Sequence, residues 1–344
     1  MSLPPVEIPL GAMRFNSDAQ KLEYWNGEIW MQIHTFSPNL DGGARGLWGG
    51  GGEPSTGRGE ILYITIPTSG NSQVFGDLSS DRYATAGLGS RTRGVFAGGY
   101  DPSQVNTIEF VTFASTGDTT NFGDMSYVAR DLGGLASATR GLFYGGISTP
   151  GSPAGTNTIE YITIASEGNA VNFGDVTANG VSMAGEGMDS CASPTRGIIS
   201  GGSTPSTKRN TITYLTIATT GNTTYFGQMQ EQRWTFGSGS NSTRGIFSGG
   251  RTPDASAGVC VIDYITIATT GNSIDFGQLT DNRSGCDAVT SSIRFVTGGG
   301  YNPTNTNIID YVTIATQGDA VDFGDLTYAR ARSGSCSNAH GGLG

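Results

Sequence analysis

The chain has 344 residues, a formal net charge of −10 and only 14% charged residues, and its 55 glycines follow no Gly-X-Y period, which excludes collagen. Only two lysines, Lys21 and Lys208, are present, and this acidity argues against a nucleic-acid partner, because phosphate binding needs clustered Lys and Arg. No apolar run reaches the 18 residues of a membrane span, and "MSLPPVEIPLGAMRF" lacks the basic and apolar regions of a secretory signal, so neither membrane insertion nor export is expected.

Residues 1–40 form a first module. "GAMRFNSDAQKLEYWNGEIWMQI" (Gly11 to Ile33) alternates apolar and polar positions, which predicts three short strands with turns at "NSDAQ" and "NG". Phe15, Tyr24, Trp25 and Trp30 are too many aromatics for three strands to bury alone, so they are expected to attach the module to a partner.

Residues 41–344 repeat. An aromatic opening a "V/I/L-T-I/F" run occurs at Tyr63, Phe110, Tyr161, Tyr214, Tyr264 and Tyr311. An "FG-D/Q" motif follows twelve residues later in every copy, at Phe75, Phe122, Phe173, Phe226, Phe276 and Phe323. Between them stands a Gly followed by Asn or Asp in all six copies, at Gly70, Gly117, Gly168, Gly221, Gly271 and Gly318. Upstream, "T/A-R-G-apolar-apolar-x-G-G" begins at Arg45, Arg93, Arg140, Arg196 and Arg244, degenerates around Ile293, and closes the chain as "NAHGGLG" with His340 in the Arg place. A link containing Arg82, Arg130, Arg233, Arg283 or Arg330 follows the second aromatic and is absent from the third copy.

Each period of about 49 residues reads as four strands: a small-residue strand such as "TAGLGS", a strand ending on paired glycines, a β-branched strand and an aromatic return strand. Four strands per repeat predict an all-β fold, a six-bladed β-propeller with the small-residue strands innermost. The first copy lacks a small-residue strand and the last overruns by one, "ARSGSCSN", so the C-terminal strand is expected to close the first blade.

With the strands placed, the pattern resembles the kelch repeat: Gly145 and Gly146, Tyr161 and Phe173 stand where kelch has its Gly pair, Tyr and second aromatic. Phe in place of the usual Trp is a departure. The uniform wording "YITIATTGNSIDFGQLT" is similar to kelch-like virion structural proteins of tailed bacteriophages, especially those of marine and cyanobacterial hosts. The first module is similar to β-meanders of phage tail and fibre proteins. The resemblance implies a non-enzymatic virion protein of tail, fibre or capsid, made in the bacterial cytoplasm. Its implied partners are other virion proteins, a host-surface glycan or receptor, or a second copy of the chain.

Catalytic readings fail on inventory. Two histidines, His34 and His340, supply neither a Ser-His-Asp arrangement nor a copper site, and no "S-x-D-x-G-x-x-W" box is present. Cys191, Cys260, Cys286 and Cys336 lack C-x-x-C spacing, which predicts free thiols and no metal or cofactor. Asp77, Asp124, Asp175 and Asp325 share a position with Gln228 and Gln278 and read as turn or capping residues, and the repeated Arg as stacked on an aromatic or paired with those Asp. Recognition is expected in the variable segments after the paired glycines, with Tyr100, Asp101, Arg209, Arg251, Asp254 and Tyr301 as contact residues. A glycan-binding, lectin-like receptor-binding protein is the alternative.

Overall fold

Alternation in the sequence becomes antiparallel strands throughout residues 8–16, 21–32, 44–53, 56–148, 155–255 and 257–344, the residues described by a computed structural model. The expected turn at 17–20, His34 and parts of three variable segments (54–55, 149–154 and 256) lie outside them. Contacts divide the chain into two units, Met1–Leu40 and Asp41–Gly344.

The first unit is a three-stranded sheet of Met13–Asn16, Lys21–Trp25 and Trp30–Gln32. Asn26 Oδ1 accepts the N–H groups of Glu28 and Ile29 and closes the second turn. Period-two alternation sorts the side chains onto two faces. On one, Arg14 pairs with Glu23 at 2.9 Å and lies 4.2 Å from the Trp30 ring centroid, while Trp25 packs on Trp30 at 5.6 Å. On the other, Met13 and Phe15 stand opposite Tyr24 and Leu22, and Met31 opposite Tyr24. Phe15 is 65% exposed and Tyr24 38%, so this second face presents apolar side chains.

The second unit is all-β, with a single 3-10 turn at Gly341–Leu343 among its described residues. Five four-stranded antiparallel sheets follow one another in chain order, each beginning with its small-residue strand: Ala86–Gly89, Gly133–Ala136, Glu186–Ala192, Gly237–Ser240 and Asp287–Thr290. A sixth sheet joins the two ends of the unit: Gly334–Ser337 pairs antiparallel with Arg45–Gly49, which continues to Thr56–Thr65 and Gln73–Arg82. The expected pairing of the last strand with the first is therefore present.

Between sheets the strands are too close for side chains. A Cβ on Gly87 would meet Ser335 O at 2.3 Å, and one on Gly134 would meet Gly87 O at 2.7 Å. Where serine is tolerated it bonds across: Ser190 Oγ donates to Gly134 O, Ser238 Oγ to Ser190 O and Ser335 Oγ to Ala288 O.

At or just before the start of the small-residue strands, a backbone circuit runs from sheet to sheet. The N–H of Asp131 donates to Ala84 O, Gly187 to Asp131, Thr235 to Gly187, Gly285 to Thr235, Arg332 to Gly285 and Ala84 to Arg332, at 2.7–3.2 Å, returning to its start. All six residues are left-handed, with φ between 50° and 61°. For Ala84, Asp131, Thr235 and Arg332 that conformation costs about 1–2 kcal/mol each.

Three further circuits explain the repeated words. The Gly of each "G-N/D" turn donates its N–H to the Phe carbonyl of the preceding repeat's "FG" motif, with Gly70 donating to Phe323 across the chain ends. The Asn or Asp beside it accepts the next N–H of that motif through Oδ1 at 2.9–3.0 Å, from Asn222 on Asp175 to Asn71 on Asp325. The recurrent Asp77, Asp124, Asp175 and Asp325 thus contribute a backbone donor rather than a capping side chain, which is why Gln228 and Gln278 serve equally. Finally, each "RG" arginine lies 4.2–5.2 Å over the first aromatic of its own repeat and donates to a carbonyl of the following one, as Arg140 does to Ile217 O at 2.9 Å. Stacking, not pairing with those Asp, is its role. Arg294, over Tyr311 and bonded to Ile66 O, is the sixth member, so this motif is intact around Ile293.

The invariant twelve-residue spacing has a packing reason. In all six repeats the two aromatics meet edge to face, with centroids 5.8–6.1 Å apart and planes at 74–86°. The following glycine admits the neighbouring turn: a Cβ on Gly174 would meet Gly221 O at 2.4 Å.

Most link arginines are buried between sheets. Arg82 pairs with Glu109, Arg233 with Asp263, and Arg283 with Asp310 at 2.6 Å. Arg330 instead donates to Gly50 O and Glu60 O, and Arg130 pairs with the adjacent, buried Asp131. In the third repeat the link is a small hairpin, Thr177–Ala178 with Val181–Ser182, turned by Asn179 and Gly180 at positive φ, and the next repeat carries Thr213, as the first carries Leu62, where the other four place the acid.

His340 does not repeat the arginine. Asn338 Oδ1 accepts the Arg45 N–H, so Arg45 itself fills that place, and His340 opens the 3-10 turn. All four cysteines are free, and Cys191, Cys286 and Cys336 are buried.

Candidate functional site

The small-residue strands of all six sheets line one cavity of about 130 Å³. At their far ends the C-terminal turn lies across them: His340 Nε2 donates to Gly89 O at 2.8 Å, and its Nδ1 accepts the Gly342 N–H at 3.1 Å. Burial holds the His340 pKa below the ordinary value, so the ring is neutral, and its two partners fix the Nε2–H tautomer.

At the near ends, beside the left-handed circuit, charge collects. Asp131 accepts from Arg130 at 3.0 Å and from Arg332 at 3.1 Å, so two guanidinium groups share one carboxylate. Inside the cavity Asp189 and Asp287 occupy the position where the other sheets have Ala86, Gly133, Gly237 and Gly334. Burial raises the Asp189 carboxyl to about 7 despite hydrogen bonds from Ser190 and Ser238, and burial together with the Asp189 charge raises Asp287 well above the carboxylate range. Burial and the Asp131 charge likewise raise Glu186.

Next to this end opens a second cavity of about 190 Å³, lined by Gly52, Thr235, Arg251, Ser284, Tyr301 and Arg332 among others. The residue after each glycine pair bridges to the residue before a left-handed position, Trp234 with Arg251 and Ser284 with Tyr301, which is how the chain delivers both side chains here. Arg251 Nε donates to Ser284 Oγ at 3.3 Å and its Cζ stands 5.9 Å from the Tyr301 centroid. Burial, then the charge of Arg332, lowers the Arg251 pKa. Thr235 Oγ1 is buried with no hydrogen-bond partner among the described residues. No group of three or more His, Cys, Asp and Glu among the described residues is placed to hold a metal.

No protein-family model and no curated protein matches the chain.

Of the residues singled out in the sequence, the structure brings Arg251 and Tyr301 into this one cavity. Tyr100 packs on Tyr83 at 5.5 Å with Arg130 above it. Arg209 is half-buried and donates to Ala184 O at 2.7 Å, while Asp101 and Asp254 are exposed. Phe15 and Tyr24 lie on the open face of the first unit, Trp25 and Trp30 on the opposite face. Sequence reading missed Asp131, Asp189, Thr235, Asp287 and Arg332. Their signal is departure from the repeat, since each replaces a Gly or Ala of another copy.

Proposed function

We propose that the six sheets are the blades of a kelch-like β-propeller closed by its own C-terminal strand, and that the protein is a non-enzymatic structural component of a tailed-phage particle. The observation that carries the fold is the backbone circuit through Ala84, Asp131, Gly187, Thr235, Gly285 and Arg332, which visits every sheet once and returns. Together with the outer circuits it makes a rigid frame that presents one face of variable segments. The apolar face bearing Phe15 and Tyr24 supports attachment of the first unit to other virion proteins, because a sheet this small must bury that face against something. The resemblance of the repeat wording supplies the virion assignment and its location in tail, fibre or capsid.

A lectin-like, receptor-binding role is the second reading, favoured by the cavity holding Arg251 and Tyr301. Gold-labelled antibody against the chain, applied to purified particles from infected cells, should decorate one fixed substructure. Particles that stay unlabelled while the chain is abundant in the lysate would sink the virion role.

A further inference from the structure

We propose that the 190 Å³ cavity is a binding site for a carboxylate-bearing sugar, with Arg251 as the residue that holds the carboxylate. This deepens the recognition role proposed above and rests on it for its biological meaning.

The charge distribution points to an anion. In a chain of net charge −10, Arg130, Lys208, Arg251 and Arg332 gather near one end of the small-residue strands against Asp131 and Glu186. Asp131 is already shared by Arg130 and Arg332. Arg251 has no carboxylate partner among the described residues, and its one side-chain hydrogen bond there uses Nε, which leaves both terminal nitrogens of the guanidinium for a ligand. A planar fork of this kind matches a carboxylate with two parallel hydrogen bonds.

The walls point to a hydroxylated ring. Tyr301 and Asn305 supply a phenol and an amide, and Ser284 a hydroxyl. Gly52 and Gly285 put no side chain into the space. The cavity, about 190 Å³, has room for a single small ring.

Titration of the full-length chain with sodium glucuronate, glucose and sodium acetate, followed by NMR line shifts or calorimetry, tests this. Glucuronate should bind and weaken as salt is raised, with glucose and acetate at least tenfold weaker. Arg251→Gln should weaken glucuronate at least tenfold without shifting the melting temperature, while Arg58→Gln, outside the cavity, should not change it. Should Arg251→Gln fail to fold, Tyr301→Phe, which removes one hydroxyl, should still weaken binding several-fold. Equal binding of glucose, unchanged binding by both cavity variants, or displacement of glucuronate by an acidic peptide at equal concentration would each overturn the assignment. Particle labelling reads out separately: binding without labelling removes the virion role alone, and labelling without binding removes this site alone.

Discussion

Asp189→Asn should stabilise the protein, and more so as pH rises. The carboxyl lines the inner cavity, and burial moves it from an ordinary 3.8 to about 7. At 1.36 kcal/mol for each tenfold change in proton affinity, that corresponds to about 4 kcal/mol, a ceiling that water in the cavity lowers. Because the folded value is raised, the folded state binds more protons than the unfolded chain between about pH 4 and 7. Stability is therefore full below the ordinary carboxyl value and falls as pH rises through that window. Asn keeps the oxygen that accepts the Ser190 N–H at 2.8 Å and has no charge to bury. Removing the Asp189 charge also eases Asp287, which adds to the gain in the same direction. Urea unfolding, followed by the fluorescence of fully buried Trp48, gives the measurement at pH 4.0 and 8.0. The variant should match the parent at the lower pH and exceed it by about 2–4 kcal/mol at the higher one. A gain at pH 8.0 no larger than at pH 4.0 refutes the idea that the ionised form is what the cavity rejects.

Two more substitutions probe the frame. Arg283→Met should cost about 3–5 kcal/mol in denaturant unfolding, because it strands the fully buried Asp310 carboxylate, and Arg283→Met with Asp310→Thr should recover most of that loss. A double variant as unstable as the single one would show that the arginine packs rather than pairs. Asn222→Ala should cost about 1 kcal/mol by removing the acceptor for the Asp175 N–H, whereas Asn222→Asp should be nearly neutral, since Asp118 and Asp319 do the same task in other repeats. Equal losses for the two would refute the side-chain acceptor.

The frame was legible because repeated contacts leave repeated letters. The edge-to-face pair requires two aromatics at fixed spacing, and the turn that slots behind the neighbouring "FG" requires glycine on both sides. What the letters did not reveal was which atom acts. Asp175 and Gln228 share a position because a backbone N–H is used there, a fact no side-chain reading supplies. The division of the four module aromatics was available from strand parity, since Tyr24 and Trp25 are neighbours and must face opposite ways.

The residues around the two cavities were hidden for the opposite reason: they are exceptions within a repeat, and averaging over copies erases exceptions. Thr235 makes the point. A β-branched residue at φ 50° is a strained choice where Gly187 and Gly285 show that glycine fits the same circuit. Its Oγ1 bonds to nothing among the described residues, while its Cγ2 fills the space that a Cβ on Gly187 would need. Arg332 is likewise left-handed, at φ 58°, a conformation that glycine takes at Gly285 in the same circuit. Left-handed strain is accepted at Ala84 and Asp131 as well, so it marks the whole circuit, and at Arg332 it places a guanidinium 3.1 Å from the buried Asp131 carboxylate, a contact that glycine could not make.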